Sequence, residues 1–285
     1  MSAERHPMSG MDAFAPREIA SLVETRGVAK ANAPAVTTFV LGVMAGAFIG
    51  LGAVLSTTIG TGSSLGYGPT RWLAGLGFAL GLVLVVVAGA ELFTGNNLVV
   101  MSLVSRHITV RQLLRNWAIV YIGNLVGALS IATMVWLAQW WAQDDYAVGA
   151  TALTIATGKA SLGFGVVLVR AILANALVCL AVWLAAGGRT VLDKIVAVTL
   201  PISAFVAAGF EHSVANMYFI PAGWLIKDEP AVVKASGLTG QQLAHLNAGG
   251  FMTNLVAATI GNVIGGAVLV GIVYWFVYLR GQSDA

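Results

Sequence analysis

His212 is the residue of this sequence best suited to proton chemistry inside a membrane. It lies in a long apolar run, whereas His6, His107 and His245 lie in polar stretches. Imidazole is the side chain whose ordinary charge change falls near neutral pH, so a histidine at that depth could donate a proton. The alternative is a structural histidine that bonds a backbone carbonyl. We favour the proton donor because His212 lies at a predicted interruption of a helix.

Two carboxyl groups occupy matching places in a repeated pattern. Segments 88–97 and 208–217 align as Ala-Gly-x-Glu-x-x-x-x-Asn, which matches Glu91 with Glu211 and ends the second copy at Asn216. A carboxylate at membrane depth is costly, so each should face protein or water rather than lipid. We expect both to anchor the backbone through hydrogen bonds, and direct contact with a transported ion is the alternative.

Other polar residues lie at or near the same segments. Thr94 and Ser213 could supply neutral hydrogen-bond donors. Arg170 lies inside an apolar run, where we expect it to pair with a carboxylate or with backbone carbonyls. Lys159 precedes an apolar run and could draw anions inward by its field, or could simply place its ammonium group at the membrane surface. Cys179 has the properties of a small buried hydrophobe, to which we assign no chemistry.

The composition places these residues in a bilayer. The chain has 285 residues, of which 58% are hydrophobic and 9% charged, so it cannot present a water-compatible surface. Its 34 glycines suit close helix packing. The net charge of +3 comes from scattered basic residues, which indicates topology signals and no nucleic-acid partner.

Six apolar runs are long enough to span a membrane, which takes about 20 residues. They lie near 36–58, 72–104, 116–141, 161–186, 195–226 and 249–279. The second and fifth are too long and too polar in mid-course for straight helices, and we predict breaks at 92–96 and 209–213. Backbone that leaves helical geometry at that depth should line a pathway. Half-helix N-termini directed there favour anions.

Basic residues predict the orientation of these runs. Most of them lie in the N-terminal segment, in the links 105–115 and 187–194 and at the C-terminus, namely Arg5, Arg17, Arg26, Lys30, Arg106, Arg111, Arg115, Arg189, Lys194 and Arg280. The opposite loops hold Arg71, Lys159, Lys227 and Lys234. The positive-inside rule therefore places both termini in the cytoplasm.

The third and sixth runs share Ile-Gly-Asn at 122–124 and 260–262, which indicates a duplication. An odd number of spans in each half inverts the second copy. The predicted fold is an all-α membrane protein with six transmembrane helices in two inverted three-helix repeats, the second and fifth helices being broken. We predict a cytoplasmic N-terminal segment over 1–35 with a short amphipathic helix, a channel domain over 36–280, and a cytoplasmic tail over 281–285.

Three segments carry a resemblance to a known family. Glu-Leu-Phe-Thr-Gly at 91–95, Ala-Asn-Ala-Leu-Val-Cys-Leu-Ala-Val-Trp at 174–183 and Gly-Phe-Glu-His-Ser-Val-Ala-Asn-Met at 209–217 resemble the formate/nitrite transporter family. The likeness extends over about 15–280. It implies an aquaporin-like protomer and a homopentamer with one pore per subunit in the bacterial inner membrane. The transported species would be formate, nitrite or hydrosulfide, with protons involved, and the resemblance implies no enzymatic activity, cofactor or metal.

The resemblance also implies residue roles. His212 would be the central pore histidine, bonded to Thr94, and Asn175 and Lys159 would help to receive the anion. Hydrophobic constrictions would be formed by Phe78, Leu82, Leu92, Phe205 and Val178. The anion would be protonated in or near the pore and cross these dry sections as a neutral acid. From the residues alone, the same bulky side chains could equally be ordinary packing.

Several alternatives compete with a formate channel. Ile-Pro-Ala-Gly at 220–223 is similar to formate channels, whereas 91–95 is closer to nitrite channels, and we favour formate. A water or glycerol pore of the aquaporin type would need Asn-Pro-Ala turns, but Met217 follows the asparagine of the second copy. A membrane redox enzyme would need paired histidines or several cysteines, and the apolar runs offer only His212 and Cys179.

Overall fold

The computed structural model describes residues 12–281. Two parts of the sequence predictions lie outside the described residues. They are Arg5, one of the basic residues that predict the orientation, and most of the C-terminal tail, 282–285. The described chain is helical. Its α-helices are α1 (Pro16–Asn32), α2 (Ala35–Gly60), α3 (Tyr67–Ala88), α4 (Val100–Val104), α5 (Val110–Leu137), α6 (Ala147–Ala160), α7 (Phe164–Gly187), α8 (Val191–Ala207), α9 (Ser213–Ile226), α10 (Pro230–Ser236), α11 (Gly240–Leu243), α12 (Ala248–Val263) and α13 (Val273–Tyr278).

Five of these stretches are long and apolar enough to cross a membrane. They are α2, α3, α5, α7 and the 31 residues from Ala248 to Tyr278, in which a π-helical segment, Ile264–Ile272, joins α12 to α13. The fifth apolar run of the sequence is divided into α8, with 17 residues, and α9, with 14. That division leaves neither piece long enough to span the bilayer by itself.

The second apolar run is also interrupted, but earlier than the predicted 92–96. Helix α3 ends at Ala88, and the chain resumes at the 3₁₀-helix Gly95–Val99, which leads into α4. Gly89 has a φ of +83°, a left-handed conformation that ends an α-helix and that glycine adopts without steric cost. Because this glycine stops α3 before Glu91, the carboxylate lies on the interrupted backbone itself.

The short helical pieces join the two halves of the chain. Helix α9, from the second half of the chain, packs on α2 and α5 of the first half. The 3₁₀-helix packs on α7 and on the π-helical segment, and α4 packs on the π-helical segment. Helices α3 and α8, which lead into the two breaks, pack on each other. Each half therefore places its short piece against the other half, and the two breaks lie in the interior.

Glycine allows the long helices to approach closely. A Cβ atom on Gly123 of α5 would lie 2.8 Å from the Phe39 carbonyl oxygen of α2, closer than carbon normally comes. Such contacts maximise dispersion where apolar burial gives little advantage over lipid.

Helix α1 lies within the predicted N-terminal segment and begins at Pro16, a residue that suits the first turn of a helix. Its apolar side is buried against the protein, where Ile19, Ala20 and Val23 pack with residues of α7 and α13. Gly27 fits so closely that a Cβ atom there would overlap Ser102 Oγ of α4. The helix is therefore an integral part of the fold.

Candidate functional site

The two helix breaks have the same backbone construction. Gly209, after α8, has a φ of +73°, which matches Gly89 after α3. Each break then runs through a glutamate, and its N–H donates to a carbonyl of the long helix two helices earlier: Glu91 to Leu41 of α2, and Glu211 to Arg170 of α7. The glycine of the repeated Ala-Gly-x-Glu pattern is thus needed for the turn that opens each break.

One asparagine satisfies the exposed backbone of each break. Asn124 Oδ1 accepts the Phe93 N–H at 2.9 Å, and its Nδ2 donates to the carbonyl oxygens of Glu91 and Gly42 at 2.9 and 2.8 Å. Unpaired backbone groups cost several kcal/mol each in an apolar medium. The Asn of the first Ile-Gly-Asn motif therefore holds the first break open.

Asn262 repeats this arrangement in the second half. Its Oδ1 accepts the Ser213 N–H at 2.8 Å, and its Nδ2 donates to the carbonyl oxygens of Glu211 and Ala171 at 3.1 and 2.8 Å. The Ile-Gly-Asn motif predicts a duplication, and its two asparagines make matching hydrogen bonds at the two breaks.

The Glu91 carboxylate is held by a cation and an amide. Lys30 Nζ lies 3.0 Å from Glu91 Oε1 and donates to Asn96 Oδ1 at 2.8 Å. Asn96 Nδ2 donates to Glu91 Oε2 at 2.6 Å and to Asn116 Oδ1 at 3.0 Å, and Asn116 Nδ2 donates to the Lys30 carbonyl at 3.1 Å. The cluster ties α1, the first break and α5 together.

A matching cluster surrounds Glu211. Lys159 Nζ lies 2.9 Å from Glu211 Oε1, Asn216 Nδ2 donates to Glu211 Oε2 and to Asn254 Oδ1, both at 2.7 Å, and Asn254 Nδ2 donates to the Lys159 carbonyl at 3.0 Å. This cluster ties α6, the second break and α12. Helix α6 thus holds the same place in the second cluster that α1 holds in the first.

His212 and Thr94 join the two breaks directly. His212 Nε2 lies 2.8 Å from Thr94 Oγ1, and both residues are buried. His212 Nδ1 accepts the Ala215 N–H at 3.0 Å and so caps α9. Because Nδ1 accepts, we assign the proton of the neutral ring to Nε2, which donates to Thr94. Protonating Nδ1 as well would break the cap.

Two cavities approach this contact from different sides. The first, of about 150 Å³, is lined by Lys30, Leu92 and Asn96 among others, and we call it the Lys30 cavity. The second, of about 370 Å³, is lined by Lys159, His212 and several aromatic side chains, and we call it the Lys159 cavity.

A single buried apolar cluster holds every residue of the expected constriction, namely Phe78, Leu82, Leu92, Phe205 and Val178. Phe78 and Phe205 meet edge to face with their ring centroids 5.6 Å apart and line the Lys159 cavity. Leu92 lines the Lys30 cavity. Phe78, Phe205 and Leu92 therefore belong to the apolar cluster and also form part of a cavity wall.

Asn175 lies beside Thr94 and is fully buried. Its Nδ2 donates to Asn262 O at 2.6 Å, to Asn97 Oδ1 at 2.9 Å and to Thr94 O at 3.3 Å. Within residues 12–281, its Oδ1 has no hydrogen-bond partner. The amide thus positions the backbone of the first break, next to the expected pore residues.

Arg170 differs from expectation. Its side chain is exposed and lines the Lys159 cavity, and within the described chain it forms neither an ion pair nor a hydrogen bond. The predicted pairing with a carboxylate fails because Glu211, the nearby candidate, is already held by Lys159. The guanidinium instead faces a cavity, where water can solvate it.

Sequence reasoning missed Lys30, Asn116 and Asn254 as members of the site. Lys30 had been interpreted only as a topology signal. The available indication was positional, since Lys30 near the end of α1 and Lys159 near the end of α6 each precede the first long helix of one half.

Comparison with known proteins agrees with this architecture. The family model described as formate/nitrite transporter matches residues 17–276. The Formate channel FocA of Escherichia coli (strain K12) is 42% identical over 274 residues, which cover 94% of this chain and 96% of that protein. The Formate channel FocA of Haemophilus influenzae is 37% identical over 276 residues, which cover 95% of this chain and 97% of that protein.

Solved structures show the same likeness. A structure described as a pentameric formate channel with formate bound has a TM-score of 0.77 and 36% identity, covering 86% of this chain and 98% of that one. An FNT family ion channel has a TM-score of 0.78 and 28% identity, covering 91% and 98%. The chain is therefore a multi-pass membrane protein that belongs to the formate/nitrite transporter family, a family of channels and transporters rather than enzymes.

Proposed function

We propose that this protein is a passive or proton-linked channel for small monovalent anions, formate above all, with one pore in each protomer. The observation that carries the proposal is the buried 2.8 Å contact between His212 Nε2 and Thr94 Oγ1, at the meeting point of two helix breaks and between two cavities that contain cations. The relatives named as formate channels support formate as the substrate.

The pathway follows from the order of the groups. An anion enters one cavity and approaches the dry section formed by Phe78, Leu82, Leu92, Phe205 and Val178. A bare anion is costly there, and a neutral acid is not. His212 therefore meets the anion at the edge of the dry section, with Thr94 as its partner, and its Nε2–H donates a hydrogen bond to the anion. As the proposed proton donor, the ring first takes a proton from water on Nδ1, which releases the cap on α9, and the imidazolium then passes its Nε2 proton to the anion and returns to the neutral form.

The remaining polar residues have supporting roles in this proposal. Lys159 and Asn175 help to receive the anion, and Glu91, Glu211 and Asn216 anchor the broken segments. Their hydrogen bonds and ion pairs support the anchoring role, since both carboxylates are already engaged. The aquaporin type of arrangement, with six spans in two inverted three-helix halves, is supported by the matching hydrogen bonds of Asn124 and Asn262.

The same proposal includes the cellular setting. The protein lies in the inner membrane of a bacterium. Both of its termini lie in the cytoplasm, the orientation that the distribution of basic residues favours. The Lys30 cavity then opens to the cytoplasm and the Lys159 cavity to the periplasm. A homopentamer is supported by the pentameric channel whose chain this one resembles.

Flux into proteoliposomes tests this function. Formate, nitrite, hydrosulfide and glycerol are offered across a pH series to the parent protein and to His212→Asn, which retains a capping side chain for α9. We expect formate flux in the parent and an altered pH dependence or selectivity in the variant. Faster nitrite or hydrosulfide flux would reassign the substrate within the family.

Two results would count against the proposal. Glycerol or water flux without anion flux would favour a neutral-solute pore and would remove the anion function. Unchanged transport by His212→Asn at every pH would remove His212 from the mechanism. His107→Asn, a substitution at an exposed position in the middle of the 105–109 link, is the matched control.

A further inference from the structure

The cations that line the two cavities are of two kinds. Lys30 and Lys159 are ion-paired, with nitrogen-to-oxygen distances of 3.0 Å to Glu91 and 2.9 Å to Glu211. Each pair carries no net charge, so its field at a distance is that of a dipole. These lysines are therefore poorly suited to attract an anion from bulk solution while their carboxylates stay ionised, and the proposed role of Lys159 in receiving the anion is limited to an anion already inside its cavity.

The second kind has no such partner. Arg26 and Lys194 line the Lys30 cavity, and within residues 12–281 their side chains form no ion pair or hydrogen bond. Among the described residues, no Asp or Glu lines that cavity. Arg170 is the equivalent unpaired cation of the Lys159 cavity. Arg71, which also lines that cavity, keeps its charge, but its guanidinium is held in place by the Val206 carbonyl at the end of α8.

The placement of Arg26 and Lys194 suits a charged entrance. Val23, Arg26, Gly27 and Lys30 form one face of α1 at helical spacing, and this face lines the cavity. Lys194, in the first turn of α8, also lines this cavity. Two uncompensated positive charges over low-dielectric walls concentrate the field in the opening and raise the local concentration of anions.

We infer that Arg26 and Lys194 form an anion-capture site at the mouth of the Lys30 cavity, that Arg170 acts likewise at the Lys159 cavity, and that Lys30 and Lys159 serve as clamps of the helix breaks. The ligand is a small monovalent carboxylate or oxyanion. This inference rests on the proposed function, because capture matters only if anions are transported. It separates attraction, which depends on salt, from the buried contacts that shape the pore.

Transport kinetics test the inference in vesicles of both orientations. With anions entering from the Lys30 side, Arg26→Gln/Lys194→Gln should raise KM for formate by about three- to tenfold and change the maximal rate by less than about twofold. The KM for entry from the Lys159 side should be unchanged in that double variant. Arg170→Gln should instead raise KM for entry from the Lys159 side and leave entry from the Lys30 side unchanged. The effect should shrink at high ionic strength, where the charges are screened.

The matched control is Arg111→Gln, which removes an exposed arginine from the start of α5 that does not line either cavity. Arg26→Lys, which keeps the charge, should behave like the parent. An unchanged KM in the double variant, or a loss confined to the maximal rate, would overturn the capture site.

A second measurement makes the result independent of formate transport. Val182→Cys places a thiol on the wall of the Lys30 cavity, and a negatively and a positively charged methanethiosulfonate reagent compete for it. The reaction rate of the negatively charged reagent, divided by that of the positively charged reagent, should fall at least about threefold when Arg26→Gln/Lys194→Gln is added. A lower ratio without formate flux in the parent would sink the proposed function and leave the capture site standing, whereas an unchanged ratio would overturn the capture site.

Discussion

Thr94 and His212, which lie on different helix breaks, are joined by a single buried contact of 2.8 Å. The imidazole also caps α9 through Nδ1. One side chain therefore links the two breaks and holds the start of the helix that follows, so its two nitrogens have different tasks.

Removing the Thr94 hydroxyl tests the first task. Thr94→Val preserves the shape of the side chain but leaves the Nε2–H of His212 without its partner. We expect a loss of about 1–3 kcal/mol in stability and a clear fall in formate flux. Thr94→Ser, which keeps the hydroxyl, should retain most of both. Thermal unfolding in detergent and proteoliposome flux are the measurements, and equal behaviour of the two variants would contradict a role for the hydroxyl.

The two glutamate clusters allow a comparison of matched ion pairs. The Lys159 and Glu211 side chains are 17% and 3% exposed, against 33% and 15% for Lys30 and Glu91. Screening by water weakens an exposed pair. Double-mutant cycles with Lys→Met and Glu→Gln should therefore give a larger coupling for the Lys159 pair, within the range of about 0.5–3 kcal/mol.

In each cycle the lysine variant alone should be less stable than the double variant, because it leaves a carboxylate without its cation. Thermal unfolding of the detergent-solubilised protein measures this order. A double variant less stable than either single variant would show that the pair is not the main contact of the cluster.

Asn262→Leu should prevent correct folding of the second break. The substitution leaves the Ser213 N–H and the carbonyls of Glu211 and Ala171 unpaired, and each buried unpaired group costs about 1–3 kcal/mol. We expect little folded protein by size-exclusion chromatography. Ile260→Leu, at an exposed position two residues earlier, is the control and should behave like the parent.

Gly27→Leu should displace α1 from α4, because even a Cβ atom would overlap Ser102 Oγ. Overpacking of this kind costs about 1–3 kcal/mol. Since α1 supplies Lys30, we also expect slower formate flux and faster proteolysis within α1. Thr25→Leu, on the exposed side of the same helix, should change none of these.

Phe78→Ala should open the dry section from the Lys159 side, because the ring packs edge to face on Phe205. Loss of the aromatic side chain leaves space that water can enter, which lowers the cost of a charged species. We expect ionic current in planar bilayers that the parent does not carry. Phe276→Ala, an exposed residue of α13, is the control.

Local patterns predicted much of this protein. Of the six predicted apolar spans, five contain a helix long enough to cross a membrane, and the fifth run is divided between α8 and α9. The repeated Ala-Gly-x-Glu pattern located both breaks within a few residues. The first break was predicted too far along the chain, because the prediction followed the polar residues at 94–97. The backbone turns earlier, at Gly89. The 3₁₀-helix that follows keeps Asn96 within helical structure.

Contacts between distant segments were less predictable. The pairing of Lys30 with Glu91 depends on how α1 packs on α4, and no local spacing encodes that distance. For Arg170, the predicted pairing with a carboxylate does not form, because Lys159 from a different helix already holds Glu211. Geometry between elements decided both outcomes.

The correspondence of α1 with α6 has a practical consequence for handling this protein. Residues 16–32 look like a removable leader when only the long apolar helices are counted, but they supply the cation that neutralises Glu91. Deleting residues 16–32 would remove Lys30 from the Glu91 cluster and leave the Glu211 cluster intact. Truncated versions designed for expression or crystallisation should therefore keep the chain intact from Pro16 onward. An N-terminal fusion partner should be attached before Pro16.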